Sequence, residues 1–258
     1  MSFLSSSIRP AKEECLVYDV DTLRAENDRL REFVFRASHD LKSPLRAVIA
    51  LAEWIVEDLE ATFGKLPKNI ISDLDEIAAQ STRMSKLISD LLDLSQIGSR
   101  DDERMICDPY REIGDCISLC SFPDNFIVSL DESFPAVICS PVEFSLMIRN
   151  LLSNSVEHHD QASGTIVIAN WESDGFCFFR IRDDGPGIEE EHREAIFEMF
   201  KKLGPSKGSG IGLGMVRQIA EHYGGSASVA PNPAGRGSDF IISLPIATVE
   251  TEKMTGVS

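Results

Sequence analysis

No run of 18 apolar residues occurs along the 258 positions, so the sequence offers no candidate membrane-spanning helix. Met1 to Pro10 lacks a long apolar stretch behind its single basic residue, Arg9, and predicts no secretory leader. Basic residues are scarce: 25 Lys and Arg face 42 Asp and Glu, for a net charge of −17. So acidic a chain repels phosphate backbones, which argues against nonspecific nucleic-acid binding. None of the six cysteines, at positions 15, 107, 116, 120, 139 and 177, forms a C-x-x-C pair, and no histidine stands beside them at zinc-ligand spacing. Cys116 and Cys120, four apart, could share a helix face; the scatter predicts reduced, buried thiols in a cytoplasmic protein. What is present is a globular composition, 43% hydrophobic and 26% charged, enough for one large domain or two modest ones.

Periodicity favours two. Residues 1 to about 20 show none and predict a tail. From Thr22 to Glu60, apolar residues at Val34, Ala37, Leu41, Leu45, Val48, Ala52, Ile55 and Leu59 step by three or four, one helical stripe. Gly64 and Pro67 predict a turn. Ile70, Leu74, Ile77, Ser81, Met84, Ile88, Leu91 and Ser95 then form a heptad seam closed by Gly98. The expectation is an antiparallel hairpin whose longer arm, about 38 residues, runs about 57 Å at 1.5 Å per residue. So thin a pair cannot bury its seam alone, which predicts a two-fold homodimer closing a four-helix bundle.

Beyond about Met105 the texture alternates. Helices are expected over Pro109–Cys120, Pro141–His159, Glu189–Lys201 and Gly212–His222. Strands are expected over Phe126–Leu130, Ala136–Cys139, Gly164–Asn170, Phe176–Arg182, Ser226–Ala230 and Ser238–Leu244. The predicted organisation is a tail over 1–21, a hairpin over 22–100, an α/β domain over 101–246 and a second tail over 247–258.

Four groups of residues could carry chemistry. His39 lies about 200° around the helix from Ala37, opposite the apolar stripe. Asp40 adjoins it, and Arg36, Lys42, Ser43 and Arg46 surround that face, a setting suited to a phosphate-bearing visitor. Pro44 lacks an N–H and clashes with the carbonyl of Asp40, loosening the helix beside His39 at a cost of about 3 kcal/mol. Asp183-Asp184-Gly185-Pro186-Gly187-Ile188 follows a strand, and Gly208-Ser209-Gly210-Ile211-Gly212-Leu213-Gly214 opens a helix. Glycines there let backbone approach a phosphate while the helix N-terminus supplies N–H donors. Leu213 and Met215 occupy the positions where a Rossmann fingerprint needs glycine, and no Walker P-loop occurs. Asn150 and Asn154, four apart, offer hard oxygen ligands on one helix face, suited to Mg²⁺. Read singly, each feature is also compatible with an ordinary surface helix or loop.

Their order is more specific. Ser38 to Arg46 resembles the H-box of two-component sensor histidine kinases, and Asn150 to His159 their N-box. Asp183 to Ile188 resembles the G1 box, Ile196 to Phe200 the F-box and Gly208 to Gly214 the G2 box; Gly235 to Phe240 is similar to the glycine-rich segment before their last strand. The resemblance spans about residues 30–246. It implies a dimerisation and histidine-phosphotransfer hairpin followed by an α/β sandwich of Bergerat (GHKL) type. It also implies roles. His39 would receive the γ-phosphoryl group of ATP, and Asp40 would hold the proton of its other nitrogen. Asn154 would hold Mg²⁺ with Asn150 beside it; Asp183 would accept from the adenine amino group, with Gly185 and Gly187 shaping the pocket. Gly208, Gly210, Gly212 and Leu213 would bound a short lid, with Lys207 as its cation. Ser43 stands where many relatives carry threonine or asparagine for phosphatase action, and Glu157 where the family often carries lysine.

The resulting expectation is an ATP- and Mg²⁺-dependent homodimeric histidine kinase that passes its phosphoryl group to an aspartate of a response-regulator receiver domain. About 25 residues before the hairpin are too few for a sensor domain, so input from an upstream sensor protein is expected if the chain is whole. Competing readings are a histidine phosphotransfer module with a decayed ATP domain, a serine kinase or ATPase of the same fold, and a dimeric scaffold without activity.

Overall fold

The computed structural model describes residues 10–98, 105–202, 208–233 and 235–248. The chain divides into two compact units, one ending at Ser95 and the other beginning at Gln96.

The first unit is a helical hairpin, α1 (Pro10–Phe63) and α2 (Lys68–Gln96). Helix α1 begins twelve residues before Thr22, inside the segment expected to be a tail. Pro10 suits a first helical position, and Ala11, Lys12, Glu13 and Glu14 are good helix formers; a missing apolar stripe argues against packing rather than against helix. Pro44 is accommodated within α1. At Gly64, φ is +76° and the N–H bonds the Glu60 carbonyl at 2.9 Å, stopping the helix.

The buried seam of α1 is rotated from the sequence stripe. Ser38 and Ala52 are buried and Leu45, Ile49, Val56 and Leu59 half-buried, whereas Leu41, Val48 and Ile55 are exposed. On α2, Ser81 is buried and Leu74, Ala78 and Ile88 half-buried, while Ile70, Ile77, Met84 and Leu91 are exposed. Each helix thus carries a second apolar row repeating every seven residues that the hairpin leaves uncovered.

The second unit is a five-stranded mixed sheet backed by helices. The order is β2 (Phe126–Leu130), β4 (Gly164–Ser173), β5 (Phe176–Asp183), β7 (Ser238–Pro245) and β6 (Ser226–Pro231). The β2–β4 pair is parallel and the others antiparallel. Two short strands, β1 (Ile106–Cys107) and β3 (Val137–Ile138), pair separately. Along β5, Cys177, Phe179, Ile181 and Asp183 are buried and alternate with half-buried residues, the period-two signature of a one-sided sheet. The covering helices are α3 (Pro109–Leu119), α4 (Pro141–Glu157) and α5 (Gly212–His222). Phe144, Met147, Leu151, Met215 and Ile219 are fully buried in this core.

The helix expected over Glu189–Lys201 does not form. Two single 3₁₀ turns, Glu190–His192 and Ala195–Phe197, stand in its place. The ends explain this: Gly187 is left-handed at φ +80° and so is Phe200 at +64°, while the Arg193 side chain donates to the Ile188 carbonyl at 3.2 Å, so backbone groups find partners outside a helix.

Candidate functional site

His39 stands on α1 with its side chain 78% exposed. Its Nδ1 lies 3.4 Å from Asp40 Oδ1, the outer limit of a hydrogen bond. An Nδ1–H shared with Asp40 leaves Nε2 with a free lone pair toward solvent. Ser43 is exposed one turn on. Arg36 is engaged by Glu32 at 2.6 Å.

In the second unit, β5 ends in Asp183, which is buried against the turn that follows. Its Oδ1 accepts from the N–H of Gly185 at 3.0 Å and of Ser238 at 3.1 Å. Its carbonyl accepts from the Asn232 side chain at 3.1 Å. Burial raises the Asp183 pKa; the Gly185 and Ser238 N–H groups and nearby His159 pull it back only in part. With Oδ1 committed to backbone donors, the carboxylate is fixed in orientation, and Oδ2 makes no hydrogen bond among the described residues. Gly237 packs its α-carbon on the Asp183 carbonyl, a place no side chain could enter, and its φ is +103°. Next to it, Arg182 grips buried Asp239 through two bonds of 2.6 and 2.8 Å, locking β5 to β7.

Helix α4 forms a second wall. The Asn150 Nδ2 donates to the Leu146 carbonyl at 2.8 Å. Half-buried Asn154 makes no side-chain hydrogen bond among the described residues, so its carboxamide oxygen is available as a ligand. No cluster of three His, Cys, Asp or Glu that could hold a metal occurs among the described residues. A lone amide oxygen fits Mg²⁺, which takes few protein ligands and fills the rest with phosphate oxygens and water. The segment Gly208–Gly212 faces α4: a Cβ on Gly208 would lie 3.7 Å from Glu157 Oε2, and one on Gly212 only 2.5 Å from Asn150 Oδ1. Gly210 is left-handed at φ +75°, and its carbonyl accepts the Phe200 N–H at 2.8 Å. Helix α5 starts at Gly212 without a side-chain cap, leaving first-turn N–H groups for an anion. Leu213 is half-buried in that turn.

The second unit therefore brings Asn150, Gly208, Gly210 and Gly212 together, and separately Asp183, Gly185 and Gly187. Lys207 lies outside the described residues. Of the two F-box aromatics, Phe197 is core, with Arg217 4.3 Å above its ring, whereas Phe200 is exposed. The contacts of Ser238, Asn232 and Gly237 with Asp183 leave little signal in the sequence, because two act through backbone and the third through a loop amide. The glycines at 235 and 237 were the available signal.

Residues 29–100 match the His Kinase A (phospho-acceptor) domain family, and residues 139–248 match the histidine kinase-, DNA gyrase B-, and HSP90-like ATPase family. The chain belongs to the two-component sensor histidine kinases. It is 31% identical over 230 residues to cyanobacterial phytochrome B of a Nostoc species, covering 86% of this chain and 30% of that protein. It is 30% identical over 231 residues to the swarming motility regulation sensor protein RssA of Serratia marcescens, covering 86% of this chain and 48% of that one. This histidine kinase chain thus spans less than half the length of these curated relatives. In fold it is similar to full-length ShkA, solved with AMPPNP, at a TM-score of 0.61 and 23% identity over 84% of this chain and 46% of that one.

Proposed function

We propose that the chain is the kinase portion of a two-component signalling protein, phosphorylating itself on His39 with ATP and passing the phosphoryl group to an aspartate of a receiver domain. The observation that carries the reading is the outward, Asp40-paired imidazole of α1 in the same chain as a pocket floored by buried Asp183. His39 Nε2 attacks the γ-phosphorus, the bond to the bridging oxygen breaks, and ADP departs. The proton on Nδ1 stays shared with Asp40. Asp183 selects adenine by accepting from its amino group at Oδ2, while Gly185 and Gly187 let the ring lie against backbone. Asn150, the glycines of 208–212 and the first turn of α5 receive the phosphates, with Lys207 as an added cation. Asn154 would hold Mg²⁺, which neutralises phosphate charge when bound. Ser43 is proposed to position a water for dephosphorylating the receiver.

The uncovered heptad rows of α1 and α2 support a second copy as the hairpin's partner, closing a four-helix bundle. No described helix is long and apolar enough to cross a membrane. We place the activity in the cytoplasm, a setting consistent with the free thiols of Cys107, Cys116, Cys120, Cys139 and Cys177. Incubation with γ-labelled ATP tests the reading: phosphohistidine is stable in alkali and lost in acid. An acid-stable label would instead indicate transfer to a serine or threonine.

A further inference from the structure

His159, two residues beyond the end of α4, makes a connection to the turn after Asp183 that the proposed chemistry does not use. The His159 side chain is 2% exposed. Its Nε2 lies 3.0 Å from Asp184 Oδ1, and its Nδ1 accepts the Gln161 N–H at 3.2 Å. Nδ1 also lies 3.2 Å from the Gln161 carbonyl, so it is Asp184 that sets the tautomer: its carboxylate only accepts, and Nε2 carries the proton and donates to it. Asp184 Oδ1 also accepts the Thr165 N–H at 2.7 Å. Burial works against its charge, but the Thr165 and His159 donors outweigh that, and its pKa is lowered, which keeps it an acceptor.

The ring is fixed from its other sides. Phe126 of β2 meets it edge-on, with centroids 5.1 Å apart. Gly164 leaves the required space: a Cβ there would lie 2.7 Å from Phe126 and 2.9 Å from His159 Nε2. The imidazole in turn walls the G1 turn, since a Cβ on Gly185 would lie 3.4 Å from His159 Cδ2 and 3.1 Å from Asp183 Oδ1. The next residue, Asp160, pairs with Arg236, whose Nε donates to the Gly185 carbonyl at 3.0 Å. Two successive residues thus hold the turn carrying Asp183, one through Asp184 and the other through Arg236.

We infer that His159 is a positioning residue for adenine recognition: through Asp184 it fixes the G1 turn so that Asp183 presents its free oxygen to the 6-amino group. The inference rests on the adenine role proposed for Asp183. It makes His159, rather than the pocket wall alone, a determinant of how sharply the site distinguishes purines.

The test uses the full chain and two triphosphates, ATP and purine riboside triphosphate, which lacks the 6-amino group. Dissociation constants are measured by calorimetry for wild type, His159→Phe and His159→Gln, beside their thermal melts. The wild type should prefer ATP. His159→Phe should lose about tenfold of that preference, the scale of one hydrogen bond to a charged group. His159→Gln, which retains a side-chain N–H, should recover most of it. A wild type that prefers ATP beside a His159→Phe variant with the same preference would overturn the inference, even if that variant melts earlier or binds both triphosphates more weakly in proportion. A wild type without preference would instead overturn the adenine role of Asp183 itself.

Discussion

Gly212 stands where a Cβ would come within 2.5 Å of the Asn150 carboxamide oxygen. The first turn of α5 and the Asn150 side of α4 therefore meet across a gap that only glycine leaves open. In Gly212→Ala the backbone is anchored, so the short Asn150 side chain has to turn away. The fold should persist, and ATP affinity should fall about three- to tenfold, matching Asn150→Ala. The double variant should be no worse than either single one, because both remove the same contact. Additive losses in calorimetric titration would contradict this.

Asp183 sets a conflict between binding and stability. Burial raises its pKa in the folded state, so ionising it opposes folding. That penalty is full above the folded-state pKa and vanishes below the unfolded value of about 3.9. Asp183→Asn keeps an oxygen for the Gly185 and Ser238 N–H groups and removes the charge. Its melting temperature at pH 7 should equal or exceed that of the wild type, and the gain should shrink as pH falls toward 4. ATP affinity should nonetheless drop at least about tenfold. A variant that melts earlier at neutral pH would show that the carboxylate is structural.

Glu157 places an acid on α4 facing Gly208, with Ser153 donating to its Oε1 at 2.9 Å. If the phosphates bind along Gly208–Gly212 as proposed, a negative group there opposes them, so Glu157→Lys should tighten ATP binding several-fold. The gain should be larger at low salt, as expected of a solvent-exposed charge. Calorimetry at two ionic strengths checks both statements.

Ile77 and Met84 are 47% and 46% exposed and lie seven residues apart on α2. If a second copy covers them, Ile77→Glu with Met84→Glu should halve the mass seen in sedimentation equilibrium. ATP binding by the second unit should continue. A wild type that sediments as a monomer would remove the dimer from the account.

How much of this was legible beforehand follows the physics of each signal. The outward placement of His39 came from helical angle alone, and the β4–β5 hairpin from strand pattern around Asp174-Gly175, both left-handed in the structure. Helix α5 follows its apolar spacing. The seam of α1 was harder to place, because Leu41, Val48 and Ile55 are apolar like their neighbours and periodicity does not tell which row a hairpin covers. The 189–201 segment misled because its composition favours a helix, while left-handed Gly187 and Phe200 and the Arg193 bond to Ile188 break it. The Gly235 to Phe240 segment was visible as a glycine-rich stretch, but the bond from Ser238 to Asp183 was not, since it comes from a backbone N–H. His159 reads as the end of a motif, because its partners come from far along the chain, Phe126 from β2 and Asp184 from the turn after β5.

The central claim is that one imidazole takes the phosphoryl group, and localising the label tests it most directly. The chain and its His39→Gln variant are incubated with γ-labelled ATP and Mg²⁺, then digested and mapped at alkaline pH. The account predicts acid-labile phosphate on the peptide containing His39 and no label in the variant, whose ATP affinity should stay within about twofold of wild type. Label of equal amount in His39→Gln, or on any other residue of the wild type, would contradict it.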